Sequence, residues 1–193
     1  IQPITKGDFD YISPVGTDLQ KGWVYFIASP DNFTQRYLYR AKAFGNGEVE
    51  RVSPMEQSGQ HRYNMSPTGK WAIHTYSNAS TPSVIDMVSF PKHQSVRMLE
   101  DNAQAKDQYA ALGLSPKEFI KVKSGNLTLD AWMIKPVDFD ASKKYPVIIE
   151  VYGEPASATV QDVWGNGDLW QQYMANQGYI VVSIETVSYT HLR

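Results

Sequence analysis

Several features that would point to particular function classes are missing from this sequence of 193 residues. It has no cysteine, which excludes a disulfide framework and thiolate chemistry. Its four histidines are scattered, so we expect no metal site. No apolar run approaches the roughly 18–20 residues of a membrane span. A formal net charge of −2 gives no reason to expect nucleic acid or an anionic membrane as a partner.

Aromatic residues, by contrast, are abundant at 12% of the chain, and they favour β-structure. Residues 1–100 indicate short strands that recur about every 10–14 residues with turn residues between them. The aromatic runs that begin at Trp23 and Trp71 lie about 48 residues apart, near the roughly 40–50 residues of a propeller blade. This spacing predicts part of a β-propeller, and a β-sandwich is the alternative that periodicity alone leaves open.

A change of character at Asp101 suggests a domain junction. Residues 103–112 have high helix propensity and are followed by Gly113, a typical helix end. Beyond it, residues 118–123 and 127–134 form a hairpin candidate. We therefore predict two parts, a partial propeller over residues 1–112 and a different architecture over residues 113–193.

The second part is organised around the stretch from Lys144 to Pro155. Its run Val147–Val151 is nearly all apolar and β-branched, and Gly153 and Pro155 close it, which predicts a strand buried on both faces. A helix over 169–176 and a further buried strand over 179–184 follow. The order strand, loop, helix, strand is a βαβ unit, which implies parallel strands joined by a crossover.

These residues together resemble a known family. The stretch 144–155, followed by Trp170 and by 177–183, resembles the start of the catalytic domain of the prolyl oligopeptidase family, in the bacterial form of its dipeptidyl peptidase IV branch. Residues 23–39 and 61–82 resemble late propeller strands of the same branch. The resemblance covers nearly the whole chain. It implies a fold class of C-terminal β-propeller blades followed by the truncated start of an α/β-hydrolase domain.

The resemblance implies a serine-type exopeptidase that hydrolyses peptides, with no cofactor. It also implies that Tyr152 donates a hydrogen bond in the oxyanion hole, because the family uses a tyrosine in the loop after this strand. The sequence contains no Gly-x-Ser-x-Gly elbow. We reject Ser157 and Ser183 as nucleophiles, assign Glu154 to a solvated loop, and expect structural or exposed roles for His61 and His74. The chain alone is therefore expected to be inactive.

Several expectations about the parent protein follow from the same resemblance. Its partners would be peptide substrates, a homodimer is allowed, and a periplasmic or secreted location is favoured. Residues from about 186 on fit no family segment, and we interpret them as non-native. Because the sequence begins at Ile1 without a leader, we interpret it as an internal fragment or a processed chain.

Two other function classes stay open from the sequence. One is a non-catalytic β-propeller binding protein, and the other is a different α/β-hydrolase such as an esterase. A Gly-x-Ser-x-Gly elbow within about a hundred residues downstream would separate an enzyme from a binding protein. Substrate profiling would separate a peptidase from an esterase.

Overall fold

A computed structural model of the chain describes residues 3–7, 9–45, 47–152, 158–165 and 168–185. These residues form two compact units, Ile1–Asn102 and Ala103–Arg193. The helix at residue 103 therefore lies in the second unit, whereas the sequence analysis placed it before the junction. The assignment of residues 1–112 and 113–193 to two named domains stays a prediction.

The first unit consists of two four-stranded antiparallel sheets, which we call the first and second blade. The first blade has the strand order β1-β2-β3-β4, with β1 Tyr11–Asp18, β2 Trp23–Ala28, β3 Tyr37–Lys42 and β4 Val49–Arg51. The second blade has the order β5-β6-β7-β8, with β5 Gln60–Met65, β6 Trp71–Asn78, β7 Thr81–Ser89 and β8 Gln94–Glu100. Each strand pairs with the next one in sequence, which is the up-and-down topology of propeller blades.

The central strands of the first blade are apolar on both faces, and each face has its own core. One face carries Phe26, Ala28, Tyr37, Tyr39 and Ala41, all buried. The opposite face carries Tyr25, Ile27 and Leu38, which pack with residues of the second blade. Those partners are Tyr63, Met65 and Phe90. Burial of one such large apolar side chain contributes about 1.5–3 kcal/mol, so the two blades share a stabilising core.

Turn chemistry sets the register of the strands. Ser66 accepts a hydrogen bond from the amide of Gly69 at 2.9 Å, and Gly69 has a φ of 66°. The amide of Trp71 donates to Ser66 Oγ at 3.2 Å, which closes the turn onto β6. The segment Ser66-Pro-Thr-Gly69, whose composition is typical of a turn, therefore forms the turn between β5 and β6. The Asn46-Gly47 pair is a typical hairpin sequence, but Asn46 lies outside the described residues.

The second unit is built on a mixed four-stranded sheet. Its elements are α1 Ala103–Ala111, β9 Glu118–Ser124, β10 Leu127–Ile134, β11 Val147–Val151, α2 Asp168–Asn176 and β12 Ile180–Ile184. The strand order is β11-β12-β10-β9; β11 and β12 are parallel and the other pairs antiparallel. The predicted hairpin, crossover helix and parallel pair are therefore confirmed, and the described part holds this one parallel pair.

The fold class is thus propeller-type blades followed by a sheet that begins in α/β fashion. One sequence prediction about this sheet is wrong, because β11 is not buried on both faces. Ile148 packs into the core, but Val147, Ile149 and Val151 are 52%, 59% and 69% exposed. The apolar run is typical of a strand that other elements cover on both faces. Among the described residues, only the face of β11 that carries Ile148 packs against other elements.

Candidate functional site

The candidate site lies where β11 ends, at Tyr152. Successive side chains of a strand point to opposite faces, so Ile148, Glu150 and Tyr152 share the covered face of β11. Ile148 packs on the core cluster of the second unit, which includes Trp132 and Val181. Tyr152 is therefore placed by a strand whose covered face is fixed by apolar packing.

Tyr152 lines a cavity of about 400 Å³ in the second unit. The cavity is bordered by charged, amide, hydroxyl and aromatic side chains, among them Lys117, Trp132, Glu150, Gln171 and Ser183. A concave site with a few convergent polar groups is the usual form of a small-molecule or peptide site. The described lining thus supplies donors and acceptors around the Tyr152 ring.

Two polar contacts connect helix α2 to the cavity wall. The Gln171 amide donates to both oxygens of Glu150, at 2.9 and 3.3 Å. Lys117 donates to Asp168 at 2.8 Å, and both side chains are largely buried. The Lys117 ammonium also lies 4.8 Å from the centroid of the Trp132 ring. These contacts fix the first turn of α2 against β11 and the segment before β9.

Glu185 fixes the backbone of residues 159 and 160, which lie near the cavity. Its carboxylate accepts hydrogen bonds from the backbone amides of Thr159, at 2.9 Å, and Val160, at 3.0 Å. Glu185 is only 4% exposed, so both bonds form in a water-poor setting where charge-assisted bonds are strong. The indole of Trp132 donates to the Thr159 carbonyl at 3.3 Å. Sequence reasoning did not identify Glu185 as part of this site.

The structure places the other candidate residues from the sequence in different environments or does not describe them. Ser183 is buried and its hydroxyl donates to Thr159 Oγ1 at 3.3 Å, which fits its rejection as a nucleophile. Glu154 and Ser157 lie outside the described residues. His61 and His74 lie in the second blade and are 1% and 2% exposed.

Sequence reasoning missed the partners of these two histidines. The strand register sets His61 opposite Tyr76, and Tyr63 opposite His74. It also sets His74 opposite Asp86. The signal available in the sequence was the alternation His-x-Tyr on both β5 and β6, which puts these rings on one face of the sheet.

Among the described residues, no group of three or more ligand-type side chains could hold a metal ion. No helix in the described ranges is both long enough and apolar enough to cross a membrane.

Comparison with known proteins gives consistent relatives. A family profile described as "Dipeptidyl peptidase IV (DPP IV) N-terminal region" matches residues 1–83. A protein of Emericella nidulans named "Probable dipeptidyl-aminopeptidase B" is 30% identical over 185 residues, covering 94% of this chain and 20% of the relative. A protein of the same name from Chaetomium globosum is 31% identical over 185 residues, with the same coverage of both chains.

Solved structures agree with these sequence matches. The crystal structure of Porphyromonas gingivalis dipeptidyl peptidase 4 matches with a TM-score of 0.86 and 32% identity, over 94% of this chain and 25% of that one. A putative dipeptidyl aminopeptidase IV from Bacteroides ovatus matches with a TM-score of 0.77 and 29% identity over the same shares. The chain spans about a fifth of the length of the curated relatives it matches.

Proposed function

Because the chain belongs to the dipeptidyl peptidase IV family, we propose that its parent protein is a serine-type exopeptidase that releases dipeptides from peptide amino termini. The observation that carries the proposal is the placement of Tyr152 at the end of β11, lining a polar cavity. The names of the relatives support the reaction class, and the polar lining suits a peptide backbone.

In this reaction a serine hydroxyl attacks the peptide carbonyl, a histidine takes the hydroxyl proton, and the carbonyl oxygen becomes negative. Tyr152 donates a hydrogen bond to that oxygen, in concert with a backbone N–H. The bond to the leaving amine then breaks, the amine receives the proton, and water releases the dipeptide from the serine. The chain described here contributes the oxyanion donor and no member of the Ser/Asp/His triad.

The contacts around the cavity support this role for Tyr152. The Glu150–Gln171 pair holds the end of β11 against α2, and Glu185 holds the segment that follows the loop. An oxyanion donor is effective when it is held in place before the charge develops, because it then needs no reorganisation during the reaction. These contacts fix the backbone on both sides of the loop that follows Tyr152.

The test is Tyr152→Phe in the full-length protein, which removes one hydroxyl and keeps the ring. We expect kcat for a dipeptidyl chromogenic substrate to fall by a factor of about 10²–10³, with KM little changed, because the lost bond acts on the transition state. Tyr173→Phe is the matched control, since Tyr173 is 60% exposed on α2, and it should retain wild-type kcat.

The 193-residue chain by itself serves as the blank in this assay, and we expect no turnover from it. A Tyr152→Phe enzyme with wild-type kcat would refute the oxyanion role. A full-length protein that does not cleave dipeptidyl substrates at all would refute the peptidase function itself.

A further inference from the structure

A chain of hydrogen bonds runs through the interior of the second blade. His61 Nε2 lies 2.9 Å from the Gln57 carbonyl oxygen, and His61 Nδ1 lies 2.9 Å from His74 Nε2. His74 Nδ1 lies 2.8 Å from Asp86 Oδ1. The two rings are stacked 5.1 Å apart, and the exposed fractions of His61, His74 and Asp86 are 1%, 2% and 8%.

The direction of these bonds follows from the Gln57 end. A carbonyl oxygen only accepts, so the proton in the first contact belongs to His61 Nε2. A neutral His61 then has a bare Nδ1, which accepts from the Nε2–H of His74. A neutral His74 with its proton on Nε2 has an unprotonated Nδ1. This Nδ1 lies 2.8 Å from the carboxylate oxygen Oδ1 of Asp86. Two neutral imidazoles therefore supply two protons for three contacts.

We propose that the hydrogen-bonded series Gln57, His61, His74 and Asp86 holds three protons at neutral pH, one for each of its three contacts. Folding of the second blade then takes up a proton. Without the third proton, two lone pairs would face each other at hydrogen-bond distance in a water-poor interior, and the buried carboxylate would lose its partner. With it, the four groups have no net charge. The second blade is then a pH-sensitive element of the fold.

The third proton belongs to the His74–Asp86 pair rather than to His61. Burial, together with the positive charges of neighbouring groups including Arg51, lowers the pKa of His61 to about 3. Burial lowers the pKa of His74 on balance, although the hydrogen bond and charge of Asp86 raise it. The geometry of the contacts, and not this balance, calls for the third proton. The contact that lacks a proton is the one between His74 Nδ1 and Asp86 Oδ1, at 2.8 Å, so the third proton lies there.

Titratable or charged side chains face this chain from each neighbouring segment: Tyr37 on β3, Arg51 on β4, Glu56 before β5, Tyr63 on β5, Tyr76 on β6 and His93 after β7. The Tyr63 hydroxyl lies 2.7 Å from His93 Nε2 and 3.5 Å from His61 Nδ1. It does not enter the contact between His74 and Asp86. Burial lowers the pKa of His93 to about 4, so His93 is neutral near pH 7.

The sign of the pH dependence follows from counting protons in both states. An unfolded histidine has a pKa of about 6.5, so above about pH 7.5 the unfolded chain has released nearly all of these protons. The folded pair retains one, and the folding equilibrium constant therefore falls with rising pH, by up to about tenfold per pH unit. Below about pH 6.5 the unfolded state binds more protons, because His61 and His93 have low folded pKa values. Stability should peak at about pH 6.8, where the three unfolded histidines together bind one proton, as the folded pair does.

Asp86→Asn is the decisive variant. The amide can present Nδ2–H to a neutral His74, so all three contacts are filled without a third proton. We expect the folding constant of the wild-type chain to fall between about pH 7.5 and pH 8.5 relative to that of Asp86→Asn, again by up to about tenfold per pH unit. Asp10→Asn is the matched control at an exposed position of the same unit and should follow the wild type.

The measurement is urea unfolding of the full 193-residue chain and the two variants at a series of pH values. Taking differences between proteins cancels every group that titrates alike in them. Parallel curves for the wild type and Asp86→Asn would overturn the proposal.

If Asp86→Asn does not fold, nitrogen NMR of the ¹⁵N-histidine-labelled wild type at about pH 8 decides the matter, because unfolded histidines are neutral there. Protonation of both ring nitrogens of His74 supports the third proton. A His74 ring with a proton on only one nitrogen refutes it.

Discussion

At the scale of single residues, Gly59 is the position where the backbone leaves the least freedom. Its φ is 144°, and a Cβ atom there would lie 2.3 Å from the Ser77 carbonyl oxygen. Its own carbonyl accepts the Arg36 amide at 3.0 Å, next to the bridge that joins Arg36 to Gln60. A side chain would therefore push β5 away from β6 and disturb this connection.

We predict that Gly59→Ala lowers the free energy of unfolding by about 3 kcal/mol or more, because strain and overpacking add at this site. Gly22→Ala is the matched control. Gly22 also has a positive φ, of 64°, but a Cβ there meets nothing within 4 Å. It should cost only the roughly 1–2 kcal/mol of a left-handed backbone. Urea unfolding of both variants checks this, and equal losses would show that the contact with Ser77 does not matter.

The sequence reveals a residue of the candidate site only when its sequence neighbours determine its position. It does not reveal a residue whose partners are distant along the chain. The position of Tyr152 at a strand end was identifiable because it directly follows an apolar run that closes at Gly153. Its role as an oxyanion donor was inferred from the family resemblance and stays a prediction. Glu185 was not identifiable, because its partners Thr159 and Val160 are brought to it only when β12 lies beside β11. Asp86 was hidden for the same reason, since its pairing with His74 is set by strand register.

At the scale of elements, strand β3 is largely buried, with four of its six residues in the buried class. Leu38 is 0% exposed and packs with Tyr25 and Ile27. Its amide donates to Ser53 Oγ at 3.1 Å, and its carbonyl accepts the Val52 amide at 2.7 Å. The side chain thus fills the core that both blades share, while the backbone fixes the segment after β4.

We predict that Leu38→Ala lowers the free energy of unfolding by about 2–5 kcal/mol, because it leaves a cavity in a core that cannot collapse freely. Leu19→Ala removes the same atoms from a turn where the side chain is 86% exposed, and it should change stability by less than about 0.5 kcal/mol. Chemical denaturation compares the two. A small effect of Leu38→Ala would mean that the blades repack around the gap.

The elements themselves followed from sequence more closely than their burial did. Val147–Val151 and Leu127–Ile134 were predicted with the bounds that the structure has, because both are mostly apolar runs flanked by Gly, Pro or Asn residues. The burial of β11 was predicted wrongly. Apolar residues on both faces of a strand favour burial, but they do not show whether the chain contains the elements that would pack on each face. The exposed residues Val147, Ile149 and Val151 of β11 lie on the face that no described residue covers.

At the scale of the whole molecule, the second unit presents apolar surface that a stable isolated domain would bury. The outward face of β11 carries Val147, Ile149 and Val151, each more than half exposed. Helix α2 adds Leu169 and Trp170, at 59% and 51%. An edge strand with an uncovered apolar face is a site for association with another chain.

We therefore predict that the 193-residue chain self-associates, and that the triple variant Val147→Thr, Ile149→Thr and Val151→Thr shifts it toward monomer. Threonine keeps the β-branched shape and the strand propensity, so the change acts on the apolar face and not on the sheet. Val137→Thr is the control, because Val137 is 62% exposed but lies outside the strands. Sedimentation velocity over a range of concentrations measures the outcome. A wild-type chain that stays monomeric at every concentration would contradict the prediction, because the exposed apolar face of β11 would then not drive self-association.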